Sequence, residues 1–167
     1  MPADRIHLIR HGEVLNPDRV IYGRLPSFRL SERGHLMARL AADDIVSQGR
    51  KVAKLYASPL SRTQQSAEPL AAALKLTPLL EDRIIEPTNM FEGYVPSWGT
   101  IFRHPSFIFK VLNPLRPGWG EPYKKVASRM MAAIEAAEAS VESGDVILVS
   151  HQLPIEMVRR TVAGLWL

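Results

Sequence analysis

The sequence contains no cysteine among its 167 residues. Disulfides, thiolate nucleophiles and cysteine metal sites are therefore excluded. Long apolar runs are also absent, since none approaches the roughly 20 residues that a membrane-spanning helix needs. No signal-type apolar segment follows the first residues of the chain. These absences together predict a cytoplasmic protein.

A strong excess of charge of either sign is also lacking, because the formal net charge is +4. This mildly basic balance favours anionic partners but does not identify them. No run of lysine and arginine is long enough to indicate a nucleic-acid-binding protein. Apolar residues make up 46% and charged residues 23% of the chain. This length and composition predict a single globular domain, 1–167, with one sizeable core.

The most informative local pattern is the short, mostly apolar stretch at 6–9, which ends abruptly in Arg10, His11 and Gly12. An apolar run of this length is typical of a strand buried on both faces. A glycine directly after it allows a sharp turn or a close approach to a ligand. Two later apolar runs, 52–57 and 146–149, also end in polar residues. The first strand therefore predicts a polar site at the edge of a sheet.

Helical patterns separate these strands. Apolar spacing predicts a helix from the N-cap Ser31 to about Gln48, with Gly49 as its stop signal. A second helix is predicted to open with Ser58 and Pro59 and to run to about Leu74. It is followed by a short strand at 76–80, an alanine-rich helix at 124–143 and a last helix that starts near Pro154. This alternation predicts an α/β fold: a three-layer sandwich with a mostly parallel central sheet and helices on both faces.

Three polar segments follow strands of this predicted sheet, and ligands of open α/β sheets bind beyond those ends. The segments would bring together Arg10, His11, Arg62, His151 and a helix N-terminus. Arginine forks and helix N-termini favour phosphate, and a neutral imidazole is a competent nucleophile. Nearby arginines would lower the histidine pKa and keep the ring neutral. The residues alone therefore predict phosphate binding, and they suggest phosphoryl transfer through a phosphohistidine.

Three ordered motifs resemble those of the histidine phosphatase superfamily, which includes phosphoglycerate mutase. The first motif is LIRHGE at 8–13, which is accompanied by Gly23-Arg24 and by LSERG at 30–34. The second is ASPLSRT at 57–63, with SAE at 66–68, and the third is VSH at 149–151. The resemblance implies a phosphoglycerate mutase-like fold, no metal and no other cofactor. It also implies a set of roles: His11 as the phosphorylated nucleophile, Arg10, Arg62 and His151 as the phosphate pocket, Glu86 as the proton donor, and Asn16, Gly23 and Arg24 as substrate contacts.

Two of these roles have competing interpretations. Glu13, Glu81 and Asp82 compete with Glu86 for the role of acid, and Glu86 could instead be an exposed loop carboxylate. Arg24 either contacts phosphate or caps a turn.

An aromatic-rich insertion is predicted at about 87–123, where residues 91–123 hold eight of the twelve aromatic side chains. We expect a substrate-selecting lid with an apolar wall. A helical cap packed on the sheet, or a dimer or membrane-surface patch, are the alternatives. At the other end, the apolar residues 164–167 follow a helix directly. That pattern suggests a truncated chain or a missing final strand.

The sequence thus predicts metal-independent hydrolysis of a phosphomonoester, a small phosphorylated metabolite, through phospho-His11. One alternative is a mutase for a phosphorylated three-carbon acid, although the chain is short for such an enzyme. Another is a phosphate- or phosphoprotein-binding module without turnover. Neither nucleic acid nor a membrane is an expected partner, and a homodimer remains open.

Overall fold

The computed structural model describes residues 2–95 and 120–167. Within these ranges four strands form one parallel sheet in the order β1-β4-β2-β3. The strands are β1 (Ile6–Arg10), β2 (Val52–Ala57), β3 (Leu79–Leu80) and β4 (Asp145–Ser150). The helices are α1 (Glu32–Ser47), α2 (Ser61–Leu74), α3 (Tyr123–Ala139) and α4 (Gln152–Val162), with a short 3₁₀ helix at Asp82–Ile84. None of these helices is long and apolar enough to cross a membrane.

Strand β4 lies at the centre of the sheet, and all six of its residues are buried. Because successive strand residues point to opposite faces, alternate side chains of β4 enter two separate cores. Val146 and Leu148 pack with residues of α3 and α4, whereas Ile147 and Val149 pack with residues of α1 and α2. The predicted three-layer α/β fold is therefore confirmed.

Helix α1 begins as predicted from the sequence. The hydroxyl of Ser31 accepts a hydrogen bond from the Gly34 N–H at 3.0 Å, which satisfies one of the free donors of the first turn. Past the other end of the helix, Gly49 has a φ of 64°, a value that glycine adopts without strain.

The predicted start of α2 is wrong. The helix begins at Ser61, and Leu60 before it is extended. The hydroxyl of Thr63 donates to the carbonyls of Leu60 and Ser58, at 2.6 and 2.8 Å. Ser58 and Pro59 therefore belong to the strand–helix connection, and Ser58 is left available for the site described below. Other predicted bounds also differ: β3 begins at Leu79 instead of Leu76, α3 ends at Ala139, and α4 begins at Gln152.

A buried ion pair fixes the amino end of the sheet. Asp145, the first residue of β4, is 1% exposed. Its carboxylate accepts two hydrogen bonds from Arg50, at 2.6 and 2.7 Å, and lies 2.8 Å from Nε2 of His7 in β1. These partners lower the pKa of Asp145 to about 2, and the hydrogen bonds from Arg50 make the largest contribution. The pair joins the start of β4 to β1 and to the residues before β2.

Two glycines bring the loop after β1 against the backbone of α1. A Cβ atom on Gly12 would lie 2.3 Å from the carbonyl oxygen of Gly34, and one on Gly34 would lie 2.0 Å from that of Glu13. The Gly12 N–H donates to the hydroxyl of Ser66 in α2 at 3.0 Å. This contact fixes the position of the neighbouring residue, His11, relative to both helices.

The aromatic-rich insertion predicted at 87–123 lies mostly outside the described residues. The structure does describe its two ends. Asn89 and Gly120 form an antiparallel bridge, and the Glu121 N–H donates to the Thr88 carbonyl at 3.3 Å. This pair of contacts, here called the stem, holds the two ends of the segment together.

Candidate active site

The carboxyl ends of three parallel strands meet at one edge of the sheet, as the sequence predicts. His11 follows β1, and its N–H donates to the Ser150 carbonyl of β4. His151 follows β4 and precedes α4, while Arg62 lies in the first turn of α2. The ring centroids of His11 and His151 are 5.2 Å apart, with the planes at 66°. The structure therefore brings these three side chains into one site.

His11 is held in a defined tautomer. The ring is 6% exposed, and Nδ1 lies 2.7 Å from the carbonyl oxygen of Gly12. Because a carbonyl can only accept, Nδ1 carries the proton, and in the neutral ring Nε2 carries the free electron pair. Burial, assisted by Arg62 and Arg10, lowers the pKa of His11 to about 4. The sequence predicted the neutral ring from the arginines, but burial is the larger cause.

Arg62 has two buried donors without a protein partner. The side chain is fully buried, and Nη2 donates to the carbonyl of Gly23 at 2.5 Å. Nε and Nη1 find no hydrogen-bond acceptor among residues 2–95 and 120–167. The guanidinium lies over the ring of Tyr22, 4.9 Å from its centroid. Burial lowers the pKa of Arg62, although Tyr22 and Glu86 oppose this effect. A buried cation with two free N–H groups is suited to bind an anion.

His151 is the second buried imidazole. Its Nε2 lies 2.8 Å from the hydroxyl of Ser58, and its Nδ1 lies 3.5 Å from the carboxylate of Glu86. Burial is the main reason why the pKa of His151 falls to about 2, and Arg62 adds to the effect. The ring is therefore neutral at pH 7. When the Ser58 hydroxyl donates to Nε2, the ring proton lies on Nδ1, the nitrogen on the Glu86 side.

Glu86 has the properties of a carboxyl that holds a proton near neutral pH. Its side chain is 23% exposed. Burial raises its pKa to about 7, against the opposing effect of four arginines. About half of the carboxyl groups are therefore protonated at pH 7.

The three competing carboxylates have other partners or a more open setting. Glu81 accepts a hydrogen bond from Arg83 at 2.6 Å, which lowers its pKa. Glu13 accepts from the hydroxyl of Ser31 at 2.8 Å, and Asp82 is exposed. Glu86 is therefore the best candidate for a general acid among these four.

The predicted substrate contacts are engaged with protein groups. The amide of Asn16 both donates to and accepts from the backbone of Val20, at 2.9 and 3.1 Å, and so caps a turn. Gly23 accepts from Arg62, as described above. Nε of Arg24 donates to the backbone carbonyl of Glu86 at 2.5 Å. Substrate binding by these three residues stays a prediction.

Two cavities adjoin His11, and Arg10 and Tyr22 line both of them. The first, of about 240 Å³, is also lined by Glu86, Asn89, Tyr123, Gln152 and Leu153. The second, of about 400 Å³, is also lined by Asn16, Arg33 and Met37. The first cavity lies beside the candidate acid, so it is the natural place for the group attached to a bound phosphate.

No cluster of three or more potential metal ligands occurs in the described part of the chain.

Sequence reasoning did not single out four side chains of this site: Ser58, Tyr22, Glu121 and Arg129. Ser58 was interpreted as part of a helix start. Arg129 was included only in an alanine-rich helix, and Glu121 only in the insertion. An arginine at a buried helical position offered one usable signal, because arginine is seldom buried without a partner.

Comparisons with known proteins agree on the family. The family model for the histidine phosphatase superfamily (branch 1) matches residues 6–167. An uncharacterised protein of Mycobacterium tuberculosis (strain ATCC 25618 / H37Rv), Rv0525, is 39% identical over 99% of this chain and 83% of its own length. A protein of Yersinia pestis (strain Pestoides F) named probable phosphoglycerate mutase GpmB is 29% identical over 96% of this chain and 75% of its own length.

Solved structures support the same fold. The mycobacterial glucosyl-3-phosphoglycerate phosphatase Rv2419c superposes with a TM-score of 0.75 at 22% identity, covering 95% of this chain and 78% of that one. The alpha-ribazole phosphatase of Shigella flexneri superposes with a TM-score of 0.77 at 20% identity, covering 96% and 80% of the two chains. Together with the family match over nearly the whole sequence, these likenesses lead to one conclusion: the chain belongs to the histidine phosphatase superfamily, branch 1.

Proposed function

We propose that the protein is a metal-independent phosphomonoesterase that acts through a phosphohistidine on His11. The observation that carries this proposal is the pairing of two neighbouring features. Nε2 of His11 has a free electron pair because Nδ1 is bonded to the Gly12 carbonyl, and Arg62 has two buried N–H donors without a partner. A nucleophile beside buried cationic N–H donors is what attack on a bound phosphate requires.

In the first step, Nε2 of His11 attacks the phosphorus atom of the ester. The bond between phosphorus and the leaving oxygen breaks, and that oxygen takes the proton of Glu86. Arg62, Arg10 and His151 stabilise the negative charge on the other phosphate oxygens. The Gly12 carbonyl accepts the hydrogen bond from Nδ1–H throughout, so it also stabilises the positive charge that develops on the ring.

In the second step, the Glu86 carboxylate removes a proton from a water molecule. The water oxygen attacks phosphorus, the bond to Nε2 breaks, and inorganic phosphate leaves. The electron pair returns to His11 and the proton to Glu86, so the starting state is restored. A single carboxyl serves both steps because the proton that it gives up in the first step leaves the carboxylate that the second step needs. Its pKa of about 7 suits this exchange near neutral pH.

A second candidate is phosphoryl transfer to an alcohol instead of water. Its support is the 29% identity to the protein named probable phosphoglycerate mutase. The two activities differ in the fate of labelled phosphate, which appears as inorganic phosphate for a phosphatase and on a second hydroxyl for a mutase. Tight vanadate binding without any turnover would instead support a binding module.

The decisive experiment is to trap the intermediate. A radiolabelled phosphoester is mixed with the protein and quenched in alkali, where phosphohistidine survives, and the labelled peptide is sequenced. We expect acid-labile label on His11, and we expect His11→Ala to abolish both label and turnover. His35→Ala, a histidine change on α1, is the matched control. Full activity in His11→Ala would refute the mechanism. Sugar phosphates, nucleotides, phosphoserine and phosphohistidine peptides form the substrate panel.

A further inference from the structure

An ionic cluster surrounds the segment that carries Glu86. Arg129 donates from Nε and Nη2 to the carboxylate of Glu121, each at 3.0 Å, and from Nη1 to the Arg83 carbonyl at 2.5 Å. Arg24 donates from Nε to the Glu86 carbonyl at 2.5 Å, and its Nη2 lies 3.5 Å from Glu121. Glu121 therefore joins two arginines, and each of these holds one end of the segment 83–86.

The middle of this segment is held as well. The Ser150 hydroxyl, at the end of β4, donates to the Ile84 carbonyl at 2.6 Å. Three backbone carbonyls of a four-residue segment thus accept hydrogen bonds from side chains. The donors come from helix α3, from strand β4 and from the loop after β1. Side-chain hydrogen bonds from three directions leave the segment little freedom to turn Glu86 away from His151.

The charges around Glu86 are mostly positive. The groups that face it are Arg10 at the end of β1, Arg24 in the following loop, Arg62 in α2, Arg129 in α3 and His151 before α4. Each arginine favours loss of the proton from Glu86. The side chain of Glu121 is only 9% exposed and that of Arg129 only 15%, so water screens this pair weakly. The negative charge of Glu121 therefore offsets the two cations that it contacts.

We propose that Glu121 is a positioning residue for the general acid: it holds Arg24 and Arg129 on the backbone of the segment 83–86 and offsets their charge, so that Glu86 keeps its proton. The catalytic consequence depends on the proposed function, in which Glu86 is the acid. The effect of Glu121 on the protonation of Glu86 does not depend on the proposed function. The backbone N–H of Glu121 forms one of the two contacts of the stem, so this residue connects the end of the insertion to the acid.

Two substitutions should move the protonation of Glu86 in opposite directions. Glu121→Gln keeps the shape of the side chain but leaves two cations uncompensated, so Glu86 should lose its proton about one pH unit lower. Arg129→Gln removes a cation and leaves Glu121 in place, so Glu86 should lose its proton at higher pH. Glu121→Asp keeps the charge and should stay close to wild type. Glu135→Gln, an exposed change on α3, is the matched control.

The first readout is kcat/KM for an alkyl phosphate between about pH 5 and pH 9, because its alkaline limb reports the acid in the free enzyme. We expect this limb to shift down in Glu121→Gln and up in Arg129→Gln. At about pH 8 the first variant should lose about tenfold against wild type, with little loss at about pH 5.5. A loss of equal size at every pH would mean that Glu121 is merely structural and would overturn the proposal.

The second readout needs no activity. NMR of isotope-labelled glutamate carboxyl groups, with Glu86 assigned through the Glu86→Gln spectrum, follows its titration directly. A lower midpoint in Glu121→Gln supports the proposal even if the wild-type protein hydrolyses no ester. An unchanged midpoint overturns it even if the phosphatase activity is confirmed. If Glu121→Gln does not fold, Arg129→Gln still decides: an unchanged or lower midpoint of Glu86 in that variant would also overturn the proposal.

Discussion

The sharpest prediction concerns Glu86→Gln and the leaving group of the substrate. An alkoxide is a poor leaving group and needs the proton of Glu86 as the bond to phosphorus breaks. The para-nitrophenolate ion is stable in water and needs no proton. Glutamine has the shape of glutamic acid but no acidic proton. The substitution should therefore be costly for an alkyl phosphate and mild for para-nitrophenyl phosphate.

The magnitude follows from the site. General acid catalysis typically contributes 10²–10⁴-fold, or about 3–5 kcal/mol of transition-state stabilisation. With the pKa of Glu86 at about 7, roughly ten in eleven carboxyls hold their proton at about pH 6 and roughly one in eleven at about pH 8. In wild type, kcat/KM for the alkyl phosphate should therefore fall about tenfold per pH unit above pH 7. The acid limb also contains the ionisation of the substrate phosphate near pH 6, so the alkaline limb is the diagnostic one.

The assay measures kcat/KM for both substrates across the pH range, in wild type and in Glu86→Gln, because kcat/KM reports the first step and excludes the loss of the base in the second. We expect a loss of at least 10²-fold on the alkyl phosphate, a loss of less than about tenfold on para-nitrophenyl phosphate, and no alkaline limb in the variant. Equal losses on the two substrates would remove Glu86 from the role of acid. An alkaline limb that survives in the variant would assign it to another group.

Three further predictions concern stability. The folded pKa of Glu86, about 7, lies above the ordinary value of 4.5, so at this site the native state binds more protons than the unfolded state. In chemical denaturation, the stability of wild type relative to Glu86→Gln should therefore fall by on the order of 2 kcal/mol between about pH 4.5 and pH 7. Asp145→Asn should lower the Tm at neutral pH. Because the folded pKa of Asp145 lies below its ordinary value, the difference in Tm between the variant and wild type should shrink as the pH falls from about 4 to about 2. A pH-independent difference in Tm would contradict this. Gly34→Ala should destabilise the protein by about 2 kcal/mol, since its Cβ would meet the Glu13 carbonyl. The exposed Arg39→Ala on the same helix is the control. A stabilised Gly34→Ala would show that helix propensity outweighs the contact.

The central elements could be predicted from the sequence because their signals are local. Strand β4 is a continuous apolar run, as a strand buried on both faces requires, and the Ser31 cap lies three residues before the N–H that it accepts. The convergence of His11 and His151 also followed from the sequence, because parallel strands present their carboxyl ends at one edge. These predictions needed only the pattern within each element and one rule of topology.

The partners of the site residues could not be predicted in this way, because they lie far apart in the chain. Ser58 contacts His151 across 93 positions, and Arg24 reaches Glu121 across 97. A serine and a proline before a helical pattern resemble an N-cap, so the local signal for Ser58 pointed to the wrong structure. Asn16 shows the opposite case: its partner, Val20, is only four residues away, within the reach of a local turn.

The stem between Asn89 and Gly120 has a consequence for how this protein can evolve. Its two strands meet in an antiparallel bridge, so the chain leaves the catalytic layer and returns to it at nearly the same point. Between fixed ends, doubling the length of a flexible segment costs only about 0.6 kcal/mol of closure entropy. Changes in the length of the chain between residues 95 and 120 should therefore cost little free energy, because the stem and the contacts of Glu92 and Gly93 with the loop after β1 lie outside that stretch. Under the proposed function, the stem would let the enclosed segment change its contacts with a substrate while the reaction at His11 stays the same.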